Sequence, residues 1–78
     1  MENEDTMSAV QLKAAQEELE YLKTVRRREI AEELIEARSR GDLCENKAYD
    51  RAKDAQIQLE ERIEKLEKRI MSALIVSI

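Results

Sequence analysis

The chain has 78 residues, 41% charged and 3% aromatic, with one Gly, one Cys and no Pro, His, Trp or Phe. That length allows one small domain, and one Gly without Pro supplies too few turns for an all-β fold. A formal net charge of −4, from 14 basic and 18 acidic residues that are well mixed, speaks against simple duplex DNA binding and for the wet faces of long helices.

Missing His removes the usual general base, the His-containing zinc sites and the Glu-x-x-His di-iron motif. A single Cys excludes an internal disulfide and fits a reducing compartment. There is no run of about 18 apolar residues that could cross a membrane. The acidic start Met1-Glu2-Asn3-Glu4-Asp5 is unlike a basic secretory leader, so the expected location is cytoplasmic.

Residues 1–7 carry no periodicity and read as a flexible arm. Ser8 with Gln11 forms a capping box, and Met7 with Leu12 a hydrophobic staple, which together open a helix. Its apolar positions, Leu12, Ala15, Leu19 and Leu22, follow the three-four spacing of a coiled-coil seam. From Leu22 through Arg26 and Ile30 to Leu34 the steps are all fours, a stutter that locally unwinds a supercoil, with Val25 beside Arg26. The aliphatic stem of Arg26 can cover the seam at that point. Ala37 closes the stripe, the helix is expected over about 8–40, and Gly41 provides the left-handed stop.

A second helix is expected to restart at the Asp42 cap and run over about 43–73. Its seam is Tyr49, Ala52, Gln56, Leu59, Ile63, Leu66, Ile70 and Ala73. Two long helices joined by so short a turn run antiparallel. Folding about Gly41-Asp42 sets Leu34 opposite Ala52, Leu22 opposite Ile63, Leu19 opposite Leu66 and Ala15 opposite Ile70. The expected fold class is therefore all-α, an antiparallel two-helix coiled-coil hairpin with a tight acidic tip, about 50 Å long. Residues 74–78, Leu-Ile-Val-Ser-Ile, are mostly β-branched and read as a strand that begins a further domain or pairs with another chain, with a frayed helix end as the alternative. So small a core also makes self-association of the hairpin plausible.

The tip, Gly41-Asp42-Leu43-Cys44-Glu45-Asn46, holds the chemistry. Asp42 and Glu45 lie three apart, so on the first turn of a helix they form a carboxylate version of the capping box. The same spacing lets two carboxylates converge as a partial site for a hard cation such as Mg²⁺. The two readings are compatible, because a capping carboxylate keeps a free oxygen. Cys44 sits between carboxylates that oppose thiolate formation and reads as incidental. Arg26-Arg27-Arg28 points three ways on a helix and reads as solvated ion pairs with Glu29, Glu32 and Glu33. Arg38, Arg40, Lys47, Arg51 and Lys53 lie within about three helical turns of the tip and can form a collar for RNA phosphates or an acidic protein surface. Tyr49 reads first as a packing residue with its hydroxyl at the edge.

The run Leu22-Lys23-Thr24-Val25-Arg26-Arg27, then Glu29-Ile30, Glu36-Ala37-Arg38, Gly41-Asp42-Leu43, Glu45-Asn46, Tyr49, Ala52-Lys53 and Gln56, resembles the N-terminal domain of the bacterial Gre transcript cleavage factors. The resemblance covers about Met7 to Ile78, and its Gly-Asp-Leu-x-Glu-Asn-x-x-Tyr core is the specific part. It implies a coiled-coil hairpin followed by a globular domain. It also implies insertion through the secondary channel of bacterial RNA polymerase, to the 3′ end of backtracked RNA. Asp42 and Glu45 would there help hold a Mg²⁺ shared with polymerase and position the attacking water. On this reading the chain is no enzyme itself but stimulates hydrolysis by polymerase, and binds no metal alone. It meets DNA only indirectly and no membrane. Arg38, Arg40, Asn46, Lys47, Tyr49 and Arg51 are the candidates for contact with RNA or polymerase.

Three positions depart from the family pattern. Arg28 stands where Pro is frequent, so the first helix is expected to be straighter. Cys44 replaces Ser or Lys, and Lys47-Ala48 replaces an Ala-Glu pair, which lowers the acidity below the tip. Two other functions stay open: a channel-binding inhibitor that does not support cleavage, and a dimerisation coiled coil without chemistry.

Overall fold

The computed structural model describes residues 8–41 and 46–76. Helix α1 spans Ala9–Tyr21, a π-helical turn Leu22–Arg26, α2 Arg27–Ser39 and α3 Lys47–Val76. The first three are continuous and form one arm of a hairpin, and α3 forms the other. The molecule measures 52 × 21 × 15 Å, a rod two helices across. No strand occurs among the described residues.

The expected capping box opens α1: Gln11 N donates to Ser8 Oγ at 3.1 Å and Ser8 N to Gln11 Oε1 at 2.9 Å. Met7, its expected staple partner, lies outside the described residues. The stutter takes the form of the π turn. An α-helix advances about 400° over four residues, so each step of four overshoots the seam by about 40°. A π turn closes its hydrogen bonds at i→i+5 and winds the chain less per residue. Arg27 N–H donates to the carbonyl of Leu22 in that pattern. Thr24 Oγ1 donates to the Glu20 carbonyl at 2.7 Å, a side-chain bond of the kind that bends helices. The unwinding returns Ile30 to the core, where it is 2% exposed. Arg28 lies in the first turn of α2, so the arm departs from a uniform α-helix without any proline.

The core is a single stripe. Ala15, Leu66 and Ile70 cluster with Leu12, Leu19 and Leu22 against them. Ile30, Leu59 and Ile63 form the next cluster, joined by Leu19, Leu22, Leu34 and Ala55. Early residues of one arm meet late residues of the other, so the arms are antiparallel in the expected register. Ala37, Ala52 and Ala73 complete the buried set, and Gln56 is half-buried at the polar step. Ion pairs cross the hairpin on its wet faces. Arg27 makes a two-point contact with Glu60 (Nη2–Oε1 2.7 Å, Nε–Oε2 2.9 Å), and Arg62 makes one with Glu18. Lys23 reaches Glu67 at 3.3 Å. Of the three consecutive arginines, Arg26 pairs with Glu29 at 2.6 Å and Arg27 crosses to the other arm.

Two boundaries differ from the sequence expectation. The second helix begins at Lys47 instead of 43, and its far end continues through Val76 instead of turning into a strand at 74. At that end, Ala73 is still buried in the seam, and extending a formed helix costs only tenths of a kcal/mol per β-branched residue. Ser77 and Ile78 lie outside the described residues.

Ile30→Ala should lower stability by about 2–4 kcal/mol in urea denaturation followed by circular dichroism. Ile35→Ala, at a position 69% exposed, should stay within about 0.5 kcal/mol. Glu60 is held below the usual carboxylate range by its hydrogen bonds from Arg27. A lowered folded pKa stabilises above the unfolded value and is lost as pH falls through the folded one. The melting-temperature advantage of the parent over Glu60→Gln should therefore be small, screened by salt, present at neutral pH and lost as pH falls through the lowered pKa of Glu60.

Candidate functional site at the hairpin tip

The two arms converge on residues 41 to 46. On the α2 side the helix tightens as it ends: Arg40 N donates to the Ala37 carbonyl at 3.2 Å and Gly41 N to the Arg38 carbonyl at 3.3 Å. Such i→i−3 bonds satisfy carbonyls that a helix end leaves open. Ser39 Oγ donates to the Glu36 carbonyl at 2.6 Å, and the Arg40 guanidinium reaches the Glu36 carboxylate at 2.8 Å. Gly41 has φ 112°, as its expected role as the stop requires, and a Cβ there would meet nothing within 4 Å. The constraint at this position is backbone conformation alone.

On the α3 side, Asn46 is the cap. Its Oδ1 accepts from Tyr49 N at 3.0 Å, and its own carbonyl accepts from Asp50 N at 3.1 Å. Its Nδ2 donates to the Ala37 carbonyl at 2.6 Å, across the hairpin. The reading of Asp42 as the cap, with Glu45 three residues into the helix, therefore gives way to Asn46 for α3. Asp42, Leu43, Cys44 and Glu45 themselves lie outside the described residues.

The five cations are spread around the tip end of the rod. Arg38 and Lys53 border an open groove of about 310 Å³ with Tyr49 and Gln56. The Arg38 guanidinium sits 5.9 Å from the centre of the Tyr49 ring. Arg40 and Arg51 border a second groove, about 400 Å³, which four alanines and the acidic Glu33 and Glu36 also line. Lys47 is exposed in the first turn of α3 and borders neither groove. Tyr49 is half-buried and lines the first groove beside Arg38. The first groove is cationic and aromatic, able to take a phosphate and a stacked base. The second is electrically mixed, because Glu36 already occupies Arg40.

Sequence reasoning missed the Asn46 bridge to Ala37. A signal existed, since Asn is among the strongest N-caps. Asp42 offered an equally good cap four residues earlier, and the bond from Asn46 across the hairpin is not written in local sequence. Among the described residues, no three His, Cys, Asp or Glu side chains gather as a metal site, and no helix is long and apolar enough to cross a membrane.

A thin antiparallel hairpin that presents a clamped tip at one end belongs to the class of coiled-coil finger domains. The chain matches the family described as transcription elongation factor, N-terminal, over residues 6–75. It is 48% identical over 75 residues to the transcription elongation factor GreA of Alkaliphilus oremlandii, covering 96% of this chain and 47% of that protein. Identity to GreA of Thermoanaerobacter pseudethanolicus is 51% over 65 residues, 83% of this chain and 41% of the relative. To GreA of Clostridium novyi it is 51% over 70 residues, 90% and 44%. The chain belongs to the GreA/GreB N-terminal family of transcription elongation factors. It spans about half the length, or less, of these curated relatives. No solved structure matches it.

Gly41→Ala should destabilise the hairpin by about 1–2 kcal/mol, the cost of a positive φ for a residue with a Cβ. Thermal denaturation reads this directly, and with open space around the new methyl there is no steric term to add.

Proposed function

We propose that this chain is the finger of a transcription elongation factor. It enters the secondary channel of bacterial RNA polymerase and stimulates endonucleolytic cleavage of backtracked RNA, which restarts arrested complexes. The observation that carries the proposal is the family match over residues 6–75. The rod supports it: a body 52 Å long and 21 × 15 Å in section suits delivery of a tip down a narrow channel.

In this reading Asp42 and Glu45 are the metal- and water-positioning residues. Their carboxylates are hard oxygen donors, the ligand type that Mg²⁺ takes, and two of them leave room for ligands from polymerase and RNA. Bound there, the ion would help neutralise charge on the scissile phosphate and lower the pKa of the attacking water. Arg38, with Lys53 in the groove beside Tyr49, would meet RNA phosphate and base near the 3′ end. Arg40, Lys47 and Arg51 face solvent where the channel wall would lie. The chain supplies positioning and charge while polymerase performs the hydrolysis, so it is not an enzyme itself. Its partners are polymerase and the RNA 3′ end, with DNA met only through polymerase. This places its work in the cytoplasm.

RNA cleavage in a stalled, backtracked elongation complex tests this. The parent chain at high concentration should release short RNA, while an Asp42→Ala, Glu45→Ala variant that remains helical should not. If neither does, both are repeated with the second half of a GreA relative attached. Continued inactivity there, together with competition against an active GreA, would replace stimulation by channel-blocking inhibition. Absence of any competition would leave only a structural coiled coil.

A further inference from the structure

Asn46 spends both ends of its side chain on holding the two arms together. Nδ2 donates to the Ala37 carbonyl at 2.6 Å and Oδ1 accepts from Tyr49 N at 3.0 Å. The Ala37 carbonyl lies in the last turn of α2, where it also accepts the closing bond from Arg40 N at 3.2 Å. One planar amide thus joins the end of α2 to the start of α3. Asn46 is half-buried, whereas Lys47 and Arg51 nearby are exposed.

From this geometry we infer that Asn46 is a positioning residue and not a contact to RNA or polymerase. It sets the spacing between the end of α2 and the start of α3, the two elements that flank Asp42 and Glu45 in the sequence. What is positioned rests on the proposed function; the clamp itself rests on the two hydrogen bonds. A cap alone would need only an acceptor, which Ser or Asp supplies as well. Only a carboxamide of this length places a donor on Ala37 while its oxygen caps Tyr49. The consequence for chemistry is steep, since a misplacement of about 1 Å can cost on the order of a hundredfold in rate.

Two variants separate the roles. Asn46→Asp keeps the shape and the capping oxygen but offers Ala37 no donor. Asn46→Ser keeps a neutral cap without the reach. Both should retain the helix content of the parent and compete equally for polymerase. Both should lose about 10- to 100-fold in RNA cleavage at limiting Mg²⁺, with partial recovery at high Mg²⁺. Agreement between a charged and a neutral replacement removes charge as the cause. Cleavage equal to the parent in both variants overturns the inference in favour of simple capping, and weakened competition in both overturns it in favour of a contact role. Should the parent itself fail to stimulate cleavage, the proposed function has failed, and the clamp is then decided by NMR hydrogen exchange. The Asn46 side-chain amide protons should exchange more slowly than those of exposed Gln58, and the Gly41 amide should exchange faster in both variants. Equal rates would overturn the clamp.

Discussion

Each arm of this hairpin has one apolar stripe, and among the described residues the only surface that can bury it is the stripe of the other arm. Ile30, Ile63 and Leu66, each 2% exposed, mark where that contact is tightest. There is no second layer and no sheet to share the load among the described residues. The register of the arms therefore decides everything beyond it. It places the Asn46 side chain beside the Ala37 carbonyl, Arg38 beside Tyr49, and three acids beside three bases along the rod. A slip of one residue would turn the buried side chains toward water and separate those polar partners. The cross-hairpin ion pairs contribute little energy each at such exposed sites. Their two-point geometry, in Arg27–Glu60 and Arg62–Glu18, still favours one register over its neighbours.

The π turn is the local adjustment that lets one arm satisfy this constraint along its whole length. Three successive steps of four would carry the stripe about 120° around a regular α-helix, away from α3. Five residues with wider winding absorb most of that drift, and both flanking stretches then face the same partner. Thr24 supports the distortion by occupying the Glu20 carbonyl with its hydroxyl. The same segment places Arg26 at the seam, where its stem is partly covered and its head group pairs with Glu29.

At the tip, the structure separates tasks that the linear sequence runs together. Gly41 turns the chain, Asn46 ties the helix ends, and the cations divide between two grooves of different electrical character. The groove of Arg38, Lys53 and Tyr49 is the more suitable for nucleic acid, because among the described residues no carboxylate lines it. The groove of Arg40 and Arg51 carries its own counter-charges in Glu33 and Glu36 and attracts an anion less.

The sequence by itself determined the two arms, their antiparallel register, the capping box at Ser8, the stop at Gly41 and the phase slip near Arg26. All of these follow from local periodicity and from residues with narrow conformational preferences. The chemistry of Asp42 and Glu45 was legible as residue type and spacing, and the family resemblance gave that spacing a use. The tertiary structure decided where the second helix begins, because two equally good caps lie four residues apart in sequence and the bond from Asn46 to the Ala37 carbonyl forms only once the arms are paired. It decided that Leu74 to Val76 extend a helix, because Ala73 beneath them is still buried against the other arm. It also decided which of the basic residues near the tip border which groove. The side of the seam on which a cation emerges depends on how both helices rotate about their shared stripe, and no one-dimensional pattern records that rotation.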